Sequence, residues 1–85
     1  MDSEVYEAQA EYFKALSHPI RIKIVQYLKE DEKCICEIIP YLKKEQSNVS
    51  RHLAVLKRAG ILSSEKRGIS VYCRVQDKNV YKILD

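Results

Sequence analysis

The sequence predicts a mostly α-helical domain with one small β-hairpin near its C-terminus. Apolar residues recur at spacings of three and four in four successive stretches between residues 4 and 58, which is the pattern of amphipathic helices. Beyond them, every second residue from 69 to 75 is apolar, which is typical of a half-buried strand. The two glycines and two prolines fall at the boundaries between these stretches. The predicted order is helix-helix-helix-helix-strand-strand-helix.

Size and composition favour a single folded domain over residues 1–85. The chain is 46% hydrophobic and 32% charged, which is globular rather than disordered. A domain of this length buries only about 60% of its unfolded surface, so dimerisation would add stability. No apolar run approaches the roughly 18 residues that span a bilayer, and the first 11 residues do not resemble a signal peptide. We therefore expect a cytoplasmic protein with no membrane partner.

Three helices are predicted before the basic part of the chain, at residues 4–16, 19–29 and 35–42. Pro19 suits the first position of the second helix, with His18 or Ser17 as its N-cap. The second helix is apolar on several sides and should be the central core helix. Pro40 fits the third helix only if it lies in or near the first turn.

A fourth helix, Gln46 to Arg58, separates an apolar stripe from a polar face. Its stripe should face the core, and Gly60 should end it in a left-handed cap. His52 lies nearer the core face, where a packed histidine is expected. Small, hydrogen-bonding and cationic groups on the outer face suit the DNA major groove, where Arg reads guanine and Asn reads adenine, although Ser47 could instead cap the helix. The predicted DNA contacts from this helix are Gln46, Ser47, Asn48, Ser50, Arg51, Lys57 and Arg58.

The hairpin that follows has the form of a wing. Ile61 to Lys66 and Ile69 to Val75 are predicted strands joined at Arg67-Gly68, and Asp77 to Asp85 is predicted to be a short last helix. Cations at the tip of a hairpin beside a recognition helix can contact the minor groove or flanking phosphates. Lys66 and Arg67 are therefore further predicted DNA contacts, in a wing at about residues 62–75.

The charge is concentrated in the same part of the chain. Residues 43–67 carry seven basic and two acidic side chains, a net of +5, while the rest of the chain sums to −2 of the formal total of +3. A solvated charged face is the simpler alternative, but the basic side chains coincide with the recognition-helix pattern. The sequence therefore predicts binding to double-stranded DNA.

An enzyme is not predicted. The chain shows no nucleophile paired with a base, no glycine-rich phosphate loop and no carboxylate pair, and we expect it to require no cofactor. Three cysteines without an export signal indicate reduced thiols, and Cys73 among apolar strand residues is expected to be a small core residue. A small thiol carrier that uses Cys34 and Cys36 is a distant alternative, because redox pairs usually have two residues between their cysteines and this pair has one, and because this function leaves the basic helix unexplained.

The element order, together with three strings, resembles the arsenic-repressor (ArsR/SmtB) family of winged helix-turn-helix regulators. The strings are ALSHPIR at 15–21, EKCICE at 32–37 and SRHLAVLKRAGIL at 50–62. The resemblance implies a transcriptional repressor that forms a homodimer through its first and last helices. It also implies that the fourth helix binds a palindromic operator and that a ligand releases the protein from DNA.

The resemblance also bears on Cys34 and Cys36, because a similar Cys-x-Cys supplies thiolates in the branch of the family that senses arsenic and cadmium. It implies As(III), Sb(III) or another thiophilic ion as the effector. Residues two apart point about 160° away from each other on an ideal helix, so the pair can hold one ion only if the helix start is extended. Sensing of oxidants or reactive sulfur, and a regulator with no effector, remain open. The second metal site known in the family is not expected in this chain, because that site needs a histidine at the position of Asn79.

Overall fold

The computed structural model describes residues 2–85 and contains five helices and three strands within them. They are α1 (Asp2–Ala15), α2 (Pro19–Tyr27), β1 (Lys33–Cys34), α3 (Ile35–Leu42), α4 (Gln46–Arg58), β2 (Leu62–Arg67), β3 (Ser70–Val75) and α5 (Val80–Leu84). The predicted mostly helical fold is confirmed, and α4 has the predicted bounds. The two-residue strand β1, between the second and third helices, was not predicted.

Local caps explain where the helices begin and end. The backbone N–H of Ile20 donates to Nδ1 of His18, which confirms this histidine as the N-cap of α2. At the end of α4, Gly60 has a φ of 81°, and the N–H of Ile61 donates to the carbonyl of Leu56. This is a Schellman motif, and it confirms the predicted left-handed cap.

Pro40 lies at the sixth position of α3 rather than in its first turn, which corrects the prediction. The helix begins at Ile35, where it was predicted to begin, because Cys34 and Glu37 form a capping box that fixes its N-terminus. Pro40 is therefore inside the helix, where it cannot donate to the carbonyl of Cys36 four residues earlier. It lies on the exposed side of a helix only eight residues long.

The sheet is antiparallel with the strand order β1-β3-β2. The β2-β3 ladder runs from Leu62 paired with Val75 to Arg67 paired with Ser70, so Gly68 and Ile69 form a two-residue turn. The φ of 63° at Gly68 suits a turn with glycine at its first central position. The predicted turn at Arg67-Gly68 is thus wrong by one residue. Ile69 lies fully exposed at the tip instead of on the buried face of β3.

One hydrophobic core joins the helices to the hairpin, and its largest fully buried side chains are Ile24, Leu28, Ile38, Leu56 and Ile61. Cys73 is 2% exposed and belongs to this core, as predicted. The helix α5 begins at Val80, three residues later than expected. The preceding Asp77 is occupied by hydrogen bonds from the Tyr12 hydroxyl and the Asn79 backbone, both at 3.0 Å.

The helix α1 is largely exposed. Ala15 is its only buried residue, and Val5, Tyr6 and Phe13 are each more than half exposed. An open apolar groove runs along it and reaches Ala59 at the end of α4. Over residues 2–85, no helix is both long enough and apolar enough to cross a membrane.

Candidate nucleic-acid interface and cysteine site

The helix α4 presents the predicted polar face to solvent. Val49, Leu53 and Leu56 are buried beneath it, which leaves the other side of the helix open. All seven predicted contact residues on α4 are exposed: Gln46, Ser47, Asn48, Ser50, Arg51, Lys57 and Arg58. Ala54 is also exposed on this face, and its small side chain permits close approach of a ligand.

The N-terminus of α4 has no side-chain cap. Its N-cap is Glu45, whose side chain makes no capping hydrogen bond, so Ser47 is not the cap that its residue type allowed. The first backbone N–H groups of a helix have no partner within the helix. Those of α4 are therefore available to a phosphate oxygen beside the exposed polar face.

The helix α2 holds α4 in place through two histidines and an arginine. The rings of His18 and His52 lie 4.4 Å apart, and Nε of Arg21 donates to Nδ1 of His52 at 3.2 Å. Burial lowers the pKa of His52, and the charges of His18, Arg21 and Arg51 lower it further. The histidine is half-buried and contacts α2, as expected of a packed residue.

The two predicted wing residues have different surroundings. Lys66 is exposed, whereas Arg67 binds Glu32 through two hydrogen bonds of 2.6 and 3.0 Å. Arg67 also bonds Glu65 at 3.0 Å and stacks over the ring of Tyr72. The hydrogen bonds to Glu32 and Glu65 raise the pKa of Arg67, and the hydrogen bond from Arg67 holds the pKa of Glu32 below its usual value. Arg67 must exchange its carboxylate partners for a phosphate if it contacts DNA.

Cys34 and Cys36 meet because the chain is extended where α3 begins. Cys34 is the N-cap, with φ −68° and ψ 146°, and its Cα lies 5.0 Å from that of Cys36. The start of the helix is therefore extended, which is the condition under which the two sulfurs can hold one ion. The two sulfurs are joined in a disulfide, which corrects the expectation of reduced thiols. The extended backbone brings together two side chains that an ideal helix would separate.

Two hydrogen bonds hold Cys34 at the N-terminus of α3. The backbone N–H of Cys36 donates to Cys34 Sγ at 3.1 Å, and the N–H of Cys34 donates to the Glu37 carboxylate at 2.9 Å. When reduced, two thiols this close together fit a soft, thiophilic ion. Residues 2–85 contain no cluster of three His, Cys, Asp or Glu that would complete a site.

A groove links the cysteines to both predicted DNA-binding elements. It has a volume of about 410 Å³ and is lined by Cys34, Ile35, Cys36, Ile39, Gln46, Ile69, Ser70 and Val71. Cys36 is exposed, while Cys34 is 4% exposed and pairs with Tyr72 across β1 and β3. The cysteine pair is thus attached to the wing by backbone pairing.

Comparison with known proteins agrees with this architecture. A sequence model described as bacterial regulatory protein, arsR family, matches residues 18–64. This chain belongs to the arsR family. A helix-turn-helix transcriptional regulator of Methanocaldococcus jannaschii is 42% identical over 82 residues, which cover 95% of this ArsR-family chain and 92% of the relative. The transcriptional repressor SmtB of Mycobacterium tuberculosis is 37% identical over 81 residues, which cover 95% of this chain and 60% of SmtB.

Solved structures show the same winged helix-turn-helix fold. The M. tuberculosis protein Rv0081 superposes with a TM-score of 0.83 at 32% identity, over 94% of this chain and 81% of that one. A homodimeric winged helix-turn-helix domain of Mycobacterium bovis gives 0.88 at 22% identity, over 96% and 76% of the two chains, and shows likeness of fold alone. The ArsR-family chain is therefore a transcriptional regulator, and its relatives are not enzymes.

Three residues with a part in this ArsR-family site were not found from the sequence. Glu32 holds Arg67 from 35 residues away, and Arg21 holds His52 from 31 residues away, so no local pattern marks either pair. Ile69 was assigned to a strand. A two-residue turn that begins with glycine, as in type II′, would have placed it at the tip.

Proposed function

We propose that this regulator is a dimeric repressor that binds a palindromic operator through α4 and the wing, and that a thiophilic ion at Cys34 and Cys36 releases it. The observation that carries the proposal is the exposed face of α4, on which hydrogen-bonding and cationic side chains lie over a buried apolar stripe. That arrangement fits the major groove. The name of the relative SmtB, a transcriptional repressor, supports the same function.

Within this proposal, the contact residues divide into two groups. Arg51 and Asn48 read base edges, because Arg pairs with guanine and Asn with adenine in the major groove. Gln46, Ser47 and Ser50 contribute adaptable hydrogen bonds near the uncapped N-terminus of α4. Lys57, Arg58, Lys66 and Arg67 contact phosphates and fix the register on the duplex.

A second copy of the chain would cover the exposed apolar face of α1. Val5, Tyr6 and Phe13 have no partner from the rest of residues 2–85 that buries them, and Ile83 on α5 is half exposed. The hydroxyl of Tyr12 on α1 donates to the carboxylate of Asp77, which ties α1 to the segment that leads into α5. The M. bovis domain with the same fold is homodimeric. We therefore place the dimer interface on α1 and α5.

An ion at the cysteines would act on the wing through β1. Lys33 pairs with Cys73 and Cys34 with Tyr72, while Glu32 just before β1 holds Arg67. Cys34 also caps α3, the helix that precedes α4 in the helix-turn-helix. A change in the positions of the two sulfurs therefore reaches both the wing and the helix that supports α4.

The decisive experiment measures binding of the reduced protein to its own upstream promoter DNA by fluorescence anisotropy. As(III), Sb(III) and Cd(II) are each added, and a variant with both Cys34→Ser and Cys36→Ser serves as the control. We expect one of these ions to weaken binding by wild type and not by the variant. Tight binding that none of the ions changes would support the repressor function and contradict the sensing of a thiophilic ion. Absence of sequence-specific binding would overturn the proposal as a whole.

The disulfide favours thiol redox as a second candidate effector mechanism. Oxidation of the two thiols by hydrogen peroxide breaks the two S–H bonds and forms the Cys34–Cys36 bond, and the peroxide takes up the two protons and two electrons to become two water molecules. Operator affinity measured before and after peroxide treatment, and again after reduction with a dithiol, tests this mechanism. A reversible change that the double serine variant lacks would support it, and equal affinity in both states would exclude it.

A further inference from the structure

We propose that Ile69, at the tip of the wing, is a specificity-determining residue that packs into the minor groove and rejects guanine-containing base pairs there. The proposal rests on DNA binding by α4 and the wing, and it adds a base-discriminating contact that is apolar. The observations that carry it are the exposure of Ile69, its position beside α4 and the surroundings of the neighbouring cations.

Ile69 is the most exposed large apolar side chain in residues 2–85, at 100%. The others that are at least half exposed lie on the terminal helices, where the proposed dimer interface would cover them: Val5, Tyr6, Phe13 and Ile83. Ile69 lies apart from that face, at the end of the hairpin. Dimerisation therefore leaves this side chain without a partner.

The tip lies on the side of the molecule that holds the start of the recognition helix. Ile69 and Gln46, the first residue of α4, line the same groove. At the other end of α4, the Lys57 ammonium donates to Ser64 Oγ on β2 at 3.1 Å. The wing therefore runs beside α4. A duplex with α4 in its major groove brings a neighbouring stretch of its backbone and minor groove to the wing tip.

The tip is a tight turn of two residues, and the adjacent Arg67 does not cover it. The β2-β3 ladder continues to the pair Arg67 and Ser70, so the turn contains only Gly68 and Ile69. Arg67 points back to Glu32 and over Tyr72. The wing therefore presents an aliphatic side chain at its end, with the exposed Lys66 behind it for the phosphates.

An aliphatic tip distinguishes base pairs by shape. A·T pairs present only acceptors on the floor of the minor groove, whereas G·C pairs add the amino group of guanine. Isoleucine can neither accept a hydrogen bond from that amino group nor occupy the same space. Apolar side chains inserted from the minor groove are an established mode of DNA contact. Ile69 should therefore favour pairs that lack the guanine amino group.

The test uses an operator selected by the wild-type protein from a random duplex library. Hydroxyl-radical footprinting locates the base pairs under the wing, which are then made A·T, inosine·C or G·C. Inosine·C resembles G·C in the major groove but lacks the minor-groove amino group, so it isolates the contact that we propose. Wild type should bind the A·T and inosine·C duplexes about three to ten times more tightly than the G·C duplex, as for loss of part of one buried aliphatic side chain.

Two variants test the residue itself. Ile69→Ala should bind all three duplexes with equal affinity, and Ile69→Val should restore most of the preference. Lys66→Ala is the matched control from the same hairpin, and it should weaken all three complexes by the same factor. Thermal unfolding of each variant checks that the hairpin is intact.

Two results would overturn the proposal: an inosine·C duplex that binds wild type as weakly as G·C, or an Ile69→Ala variant with the wild-type preference. Either result leaves the DNA-binding function in place. Failure of the library selection to yield any bound sequence would instead contradict the proposed function. The two failures are therefore distinguishable.

Discussion

Arg51 lies on the exposed face of α4, and neither its charge nor its side chain is needed by the core. If Arg51 contacts a base directly, the substitution Arg51→Ala should cost about 1–3 kcal/mol of binding free energy, and the preference for one base pair of the operator should be lost. Affinities of Arg51→Ala for the operator and its single-base variants measure both effects. Equal weakening on every sequence would make Arg51 a phosphate anchor.

The contact between Arg21 and His52 predicts a pH-dependent stability. Burial lowers the pKa of His52 below its ordinary 6.5, so the folded state favours the neutral ring. The contribution of the neutral His52 ring to the free energy of unfolding should therefore be fully present above pH 6.5. This contribution should decrease as the pH falls from 6.5 through the lowered pKa. His18, Arg21 and Arg51 all oppose a proton on this ring.

Urea unfolding at fixed protein concentration, on either side of this window, measures the effect. His52→Gln keeps a hydrogen-bonding side chain that does not titrate, and it should lose less stability than wild type as the pH falls. Equal losses in the two proteins would show that other groups cause the dependence.

At the scale of the element, the wing cations should contribute unequally to DNA binding. Lys66 is exposed without an ion pair among the described residues, whereas Arg67 is held by Glu32 and Glu65. Each phosphate neutralised makes the affinity fall by about one further log unit for each tenfold rise in salt concentration. Lys66→Ala should therefore reduce the salt dependence more than Arg67→Ala does.

Glu32→Gln gives the complementary measurement, since it weakens the carboxylate partner of Arg67. We expect this variant to bind DNA more tightly and with a steeper salt dependence than wild type. If neither Arg67→Ala nor Glu32→Gln changes the salt dependence of DNA binding, then Arg67 has no part in DNA binding.

How much of each element could be predicted from sequence depended on where its stabilising contacts lie. The bounds of α4 are set by an apolar stripe and by Gly60, both visible in the local sequence. The strand β1 has only two residues and exists through pairing with β3, whose sequence lies about 40 residues away. The hairpin turn was misplaced because alternation alone does not show which two residues leave the ladder. The sequence indicates that Cys34 and Cys36 can meet only if the start of α3 is extended. It does not show that the backbone adopts this extended conformation.

For the whole molecule, the exposed face of α1 predicts that stability depends on protein concentration. A dimer unfolds at a higher temperature when the protein is more concentrated, through mass action. Phe13→Glu places a charge on the apolar groove of α1. This variant should be monomeric in sedimentation, melt at a temperature independent of concentration and bind the palindrome more weakly.

Glu11→Gln is the matched control, because Glu11 is exposed on α1 and does not line the groove. It should behave as wild type in all three measurements. A Phe13→Glu protein that remains dimeric would show that the dimer interface does not use this face of α1.

The two-residue strand β1 has a consequence for how a cell would respond to the effector. Both cysteines and their backbone pairing with the wing belong to one chain, so in the proposed dimer each protomer holds its own pair of thiols for the effector. A dimer with one site occupied can then keep one wing in place on the operator. We expect expression of the regulated genes to rise gradually with effector dose, with a Hill coefficient near one, rather than to change abruptly at a threshold.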